Sequence, residues 1–106
     1  MISNETINKA IKIMVDAASP VSVILFGSYA RNEATDQSDL DFLIIESGVV
    51  NRYAEMVRLR RCLSPLRIPA DVLVHDEGTF NEWRSVPGTI LNTIDREGKV
   101  VYERPY

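Results

Sequence analysis

Two apolar runs frame a glycine turn and a pair of carboxylates, and few folds accommodate that order. The first run, residues 21–26, stops at Gly27-Ser28. Ten residues later Asp39-Leu40-Asp41 opens the second run, which is wholly apolar to Ile45. Short runs rich in β-branched residues read as buried strands. Successive strand side chains point to opposite faces, so Asp39 and Asp41 share one face while Leu40 and Phe42 take the other. At a rise of about 3.3 Å per residue the two carboxylates stand roughly 6–7 Å apart at Cβ, close enough to converge on hard cations. Glycine admits close approach of the backbone to a ligand, and consecutive N–H groups opening a helical turn attract anions. Together these parts outline a site for a metal-bound polyphosphate.

The flanking sequence places this stretch in an α/β (α+β) fold, a small mixed sheet backed by helices. Residues 3–18 form an amphipathic helix, with Ile7, Ala10, Ile11, Met14 and Ala18 at helical spacing, a cap at Ser3 or Asn4, and Pro20 beyond its end. Residues 29–34 suit one or two helical turns, and residues 35–38 a polar turn. A second helix is expected over 51–63, with Tyr53, Met56, Val57 and Leu63 on one side and Arg52, Arg58, Arg60 and Arg61 largely elsewhere; the cluster of Arg58, Arg60 and Arg61 reads as a solvated face. Residues 70–74 form a third strand near whose start stands another carboxylate, Asp71. Short helices follow over 79–85 and 89–97, the second with Ile90, Leu91 and Ile94 on one face and Gly98 at its end. Residues 100–103 give a last strand. His75 reads as an exposed loop residue, and Tyr53, Trp83 and Tyr102 as core or interface.

Length and charge exclude several classes. The 106 residues make one domain, 1–106, with a single modest core. Twelve basic against fifteen acidic residues give a net charge of -3, which argues against bulk binding of nucleic acid. The sole cysteine, Cys62, has no internal partner for a disulfide, which suits a cytoplasmic protein. No apolar run approaches the ~18 residues of a membrane span.

The conjunction of Gly27-Ser28-Tyr29-Ala30-Arg31 with Ser38-Asp39-Leu40-Asp41 resembles the minimal nucleotidyltransferases of the DNA polymerase beta-like superfamily. Ile94-Asp95-Arg96-Glu97-Gly98-Lys99-Val100 also resembles the usual ending of these short proteins. The resemblance implies that Asp39, Asp41 and Asp71 hold Mg²⁺, and that Asp71 helps activate an acceptor hydroxyl. It also implies that Gly27 and Ser28 bind the phosphates of a nucleoside triphosphate. Arg31 has two readings, a phosphate contact or an ion pair steadying the acidic strand; Ser38 supports the turn beside the phosphates. Phosphoryl transfer rests on positioning and charge neutralisation, and two ions roughly 3.5–4 Å apart stabilise attacking and leaving oxygens together.

Only 35 residues follow Asp71, too few for a second core that would close the cleft. The resemblance therefore implies an antitoxin that transfers AMP from ATP to a hydroxyl of an HEPN-type toxin. Two other readings stand beside it. One is a non-catalytic binding module that covers a toxin. The other is a nucleotidyltransferase for a hydroxylated small molecule, in which a homo-oligomer supplies the missing wall.

Overall fold

In a computed structural model, which describes residues 1–105, four strands form one mixed sheet with two helices on each face. The elements in chain order are α1 (Asn4–Ala18), β1 (Ser22–Phe26), β2 (Leu40–Glu46), α2 (Arg52–Leu63), β3 (Ala70–Asp76), α3 (Glu77–Trp83), α4 (Ile90–Glu97) and β4 (Lys99–Glu103). A short 3₁₀ turn, Ser64–Leu66, follows α2. The strand order is β3-β2-β1-β4. β1 pairs antiparallel with β2 and with β4, whereas β2 and β3 run parallel, joined through α2.

β2 is central and covered on both sides, which explains why its sequence is a continuous apolar run rather than an alternating one. Leu40, Phe42 and Ile44 enter the larger core with Val23, Leu25, Val72 and Val74, under α1 and α2. Leu43 and Ile45 enter a smaller core with Ile24, under Phe80 of α3 and Leu91 and Ile94 of α4. Local sequence sets the helix ends. Ser3 Oγ accepts from Thr6 N at 3.2 Å and Asn51 Oδ1 from Ala54 N at 3.0 Å. Ser19 leaves α1 in the left-handed region at φ 45, just before Pro20.

Several expectations are corrected here. The inward side of α2 is Met56, Leu59 and Leu63; Tyr53 and Val57 face solvent. β3 is two residues longer than expected, so His75 is a half-buried strand residue rather than part of a loop. Its Nδ1 is buried without a hydrogen-bond partner. Asp76 ends the strand and caps α3, which therefore starts at Glu77. Its carboxylate accepts from Gly48 N (2.8 Å), Val49 N (3.1 Å) and Gly78 N (3.1 Å), holding its pKa below the usual range. Residues 28–32 form overlapping turns closed on Gly27 O and Ser28 O, and no helix. Leu59→Ala is expected to lower the unfolding free energy by about 2–5 kcal/mol in a denaturant titration, and Val57→Ala by no more than about 0.5 kcal/mol. Equal effects would reverse the assignment of the helix face.

At the far end of β2 a carboxyl pair makes stability depend on pH. Glu46 Oε2 is buried and, when ionised, has no partner; protonated, the side chain can donate to Glu55. Burial first, then Glu55 by hydrogen bond and by charge, push Glu46 up to about 7 against the opposing Arg58. Glu55 is held low, chiefly by its bonds from Arg58 Nε (2.6 Å) and Nη2 (2.8 Å). A carboxyl whose folded-state pKa is raised stabilises the fold fully below its unfolded value and loses that effect as pH rises through the folded value. The melting temperature is thus expected to fall between about pH 5 and 8. Glu46→Gln, which keeps a donor toward Glu55, should flatten that slope and raise the melting temperature at the alkaline end. An unchanged slope would remove Glu46 as its cause.

Candidate active site

The site is built where β1 ends and β2 and β3 begin. Phe26 pairs with Asp41 across the antiparallel ladder, and Asp41 pairs with Asp71 across the parallel one. Residues paired in register share a face, so Phe26, Asp41 and Asp71 form one row across three strands. Adjacent strands lie about 4.8 Å apart, which sets the spacing along that row. Leu40, Phe42 and Val72 are buried in the larger core, so by alternation the row faces the α3/α4 side of the sheet. Asp39 stands just before β2 and is exposed, as is Asp71; Asp41 is half-buried. Leu40 N donates to Pro69 O at 2.9 Å, tying the entrances of β2 and β3 together.

Gly27 sets the depth of the site. It turns the chain at φ 75, and its carbonyl accepts from Ala30 N (3.1 Å) and Arg31 N (3.2 Å). A Cβ on Gly27 would lie 2.2 Å from Asp41 Oδ2, so the missing side chain is the space that the carboxylate occupies. Burial raises the pKa of Asp41, and Asp71 and then Asp39 raise it further, while Arg31 opposes. The crowded negative charge is one that a cation would relieve.

Arg31 is ion-paired, but not to the acidic strand. Its Nε lies 3.0 Å from Glu33 Oε2 and its Nη1 4.0 Å from Glu97 Oε1 of α4. Ser38 Oγ accepts from Thr35 N at 2.9 Å, and Ser38 N donates to Thr35 O at 3.0 Å, so this residue shapes the turn that delivers Asp39. Among the described residues, no three acidic, histidine or cysteine side chains converge as a preformed metal cage. Mg²⁺ nevertheless fits the donor set. The available ligands are hard carboxylate oxygens, and Mg²⁺ commonly takes one or two of these together with substrate phosphates and water.

The sequence reading missed the wall beside the glycine turn. Phe26, Ile90, Thr93, Ile94 and Glu97 join Gly27 and Arg31 around a recess of about 230 Å³. Ile90 is exposed at this recess rather than packed with Leu91 and Ile94, which corrects the expected face of α4. Helical spacing alone does not separate a core position from a cleft wall one residue away. The α4 stripe next to Gly98 was the available signal, but its use required the strand register.

The family model described as "Polymerase beta, Nucleotidyltransferase" matches residues 8–106. This chain belongs to that nucleotidyltransferase family. A "Putative protein adenylyltransferase" of Methanocaldococcus jannaschii is 31% identical to this nucleotidyltransferase over 100 residues, spanning 89% of this chain and 96% of that protein. A second protein of the same name and organism is 45% identical over 40 residues, 38% of this chain and 40% of its own length. Two solved structures share the fold. The "toxin-antitoxin with AMP-PNP" superposes with a TM-score of 0.69 at 22% identity, covering 96% of this chain and 75% of that one. A "putative nucleotidyltransferase from Sulfolobus solfataricus" gives 0.64 at 20% identity, covering 94% and 79%. Family and fold thus agree with the nucleotidyltransferase resemblance. Among the described residues no helix is long and apolar enough to cross a membrane.

Proposed function

We propose that this nucleotidyltransferase moves AMP from ATP to a hydroxyl of a partner protein, and that it acts as the antitoxin of an HEPN-type toxin in the cytoplasm. The observation carrying the reading is the Phe26–Asp41–Asp71 row set against Gly27, whose lost side chain makes room for the Asp41 carboxylate. Relatives named as protein adenylyltransferases and the toxin-antitoxin neighbour solved with AMP-PNP support the choice of acceptor and nucleotide.

The acceptor oxygen attacks the α-phosphorus, a P–O bond forms, the α–β anhydride bond breaks, and pyrophosphate leaves with the electron pair. Asp71, at the exposed outer end of the row, takes the proton of the hydroxyl. The N–H groups of Gly27 and Ser28 and the Ser28 hydroxyl hold the phosphates. Arg31 leaves Glu33 and Glu97 to make a charge-assisted bond to a phosphate oxygen. Ser38 keeps the turn that aims Asp39. Asp39, Asp41 and Asp71, drawn together by the ion and the phosphates, would hold Mg²⁺, which would supply neutralisation of the triphosphate and of the leaving oxygen.

Incubation of the folded chain with its toxin partner, Mg²⁺ and α-labelled ATP should label the toxin and release one pyrophosphate per label. γ-Labelled ATP should leave the toxin unlabelled, since only the AMP moiety is transferred. Absence of α-label on the toxin overturns the transfer reading. A non-catalytic antitoxin is the second reading, favoured by the lack of a preformed metal cage among the described residues. It predicts that an Asp39→Asn/Asp41→Asn double variant still protects cells from the toxin.

A further inference from the structure

Neither the sheet nor the catalytic face accounts for the outward side of α2. Val50, next to the cap residue, is 100% exposed; Tyr53 is 72% and Val57 45% exposed. Tyr53 and Val57, four residues apart, form one stripe on the helix, with Val50 just before its cap, while Met56, Leu59 and Leu63 turn toward the sheet. An open groove of about 680 Å³ follows the stripe, lined by Tyr53, Ala54, Val57, Arg58, Arg61 and Cys62. These side chains give the solvent face of α2 a contiguous apolar strip.

The charge around the stripe says what kind of partner fits. In a chain of net charge -3, α2 alone carries Arg52, Arg58, Arg60 and Arg61 against the single carboxylate of Glu55. Arg52 lies 5.7 Å from the centroid of the Tyr53 ring. Arg58 is braced by Glu55 and donates to Ala17 O at 3.1 Å, so it is fixed at the edge of the groove. Among the described residues, neither Arg60 nor Arg61 has an ion-pair partner. Tyrosine and arginine are the residue types that most often anchor protein interfaces.

We propose that this face docks a partner protein presenting an apolar helical ridge edged with carboxylates. A second copy of this chain is the poorer occupant, because two-fold docking sets the same arginine-rich patch against itself, and like-charge juxtaposition opposes association. The face lies on the α1/α2 side of the sheet, whereas the row of Phe26, Asp41 and Asp71 lies on the other. A partner seated on α2 therefore leaves the nucleotide face open, and the inference does not rest on the transfer reading.

The test uses the full chain and two labelled helical peptides of about 18 residues, long enough to hold a helix. Both carry leucines at i, i+4, i+7 and i+11; one flanks them with glutamates, the other with lysines. Fluorescence anisotropy should show saturable binding of the glutamate peptide, at least about tenfold tighter than the lysine peptide at low salt and weaker as salt rises. Val57→Asp and Tyr53→Ala should each weaken it about tenfold or more, Arg61→Glu should reverse the preference, and Asp41→Asn, on the opposite face of the sheet, should leave the peptide affinity as in the wild type while lowering transfer. The substituted α2 residues are exposed, so thermal melts of those variants should match the wild type. No binding of either peptide, equal binding of both, or indifference to Val57→Asp overturns the proposal. So does sedimentation showing that the chain alone dimerises and that Val57→Asp abolishes the dimer.

Discussion

Asp41→Asn is expected to lower label transfer by about 10²–10³-fold or more while leaving the protein at least as stable as the wild type. The two halves of that outcome have one cause. The Asp41 carboxyl is half-buried, and burial, then Asp71 and Asp39, raise its pKa above the usual value. A group so shifted favours the fold when protonated and opposes it as pH rises through the folded-state value. At neutral pH the ionised Asp41 is therefore a local cost, and an uncharged isostere removes it. The same charge is what a divalent cation would neutralise. Added Mg²⁺ should then raise the melting temperature of the wild type by mass action and leave that of Asp41→Asn unmoved. If Mg²⁺ stabilises both proteins equally, the ion is not bound at this row; if Asp41→Asn keeps full activity, the carboxylate is not a catalytic ligand.

What could be read ahead of the structure followed from how local each signal was. The glycine turn and the Asp-Leu-Asp entrance to β2 are contiguous in sequence, and strand alternation alone puts Asp39 and Asp41 on one face. The pairing of Asp41 with Asp71 needed the parallel register of β2 and β3, which α2 sets over a span of thirty positions; the apolar run beginning at Asp71 was the only hint. Phe26, Thr93 and Glu97 were missed because they become cleft walls only once α4 is laid beside the end of β1. The error on α2 has a different origin. Tyr53, Met56 and Val57 are all apolar and near one another on a helical wheel, so composition could not say which edge of the stripe turns inward. Burial of Leu59 decides it. Leu59 and Leu63, four residues apart, mark the buried edge, and Tyr53 and Val57 fall outside it.

Gly27→Ala should separate position from stability most sharply, with Gly48→Ala as its control. Both glycines have positive φ, 75 and 72, so an alanine at either strains the backbone by about 1–2 kcal/mol. There the likeness ends. A Cβ at Gly48 meets nothing within 4 Å, whereas one at Gly27 meets Asp41 Oδ2 at 2.2 Å, Cγ at 3.1 Å and Cβ at 3.4 Å. The tightest clash is with the tip of a side chain, not with backbone, so the fold can relieve it by swinging the carboxylate out of the row. Gly27→Ala should therefore melt close to Gly48→Ala yet lose about 10²-fold or more in transfer, since a displacement of about 1 Å in a positioned group has that effect. Gly48→Ala should keep wild-type transfer. Calorimetry and the label assay on the two variants read both quantities. Equal transfer in the two would mean that the contact between Gly27 and Asp41 is packing alone, and the claim that the turn holds a catalytic carboxylate in register would fall with it.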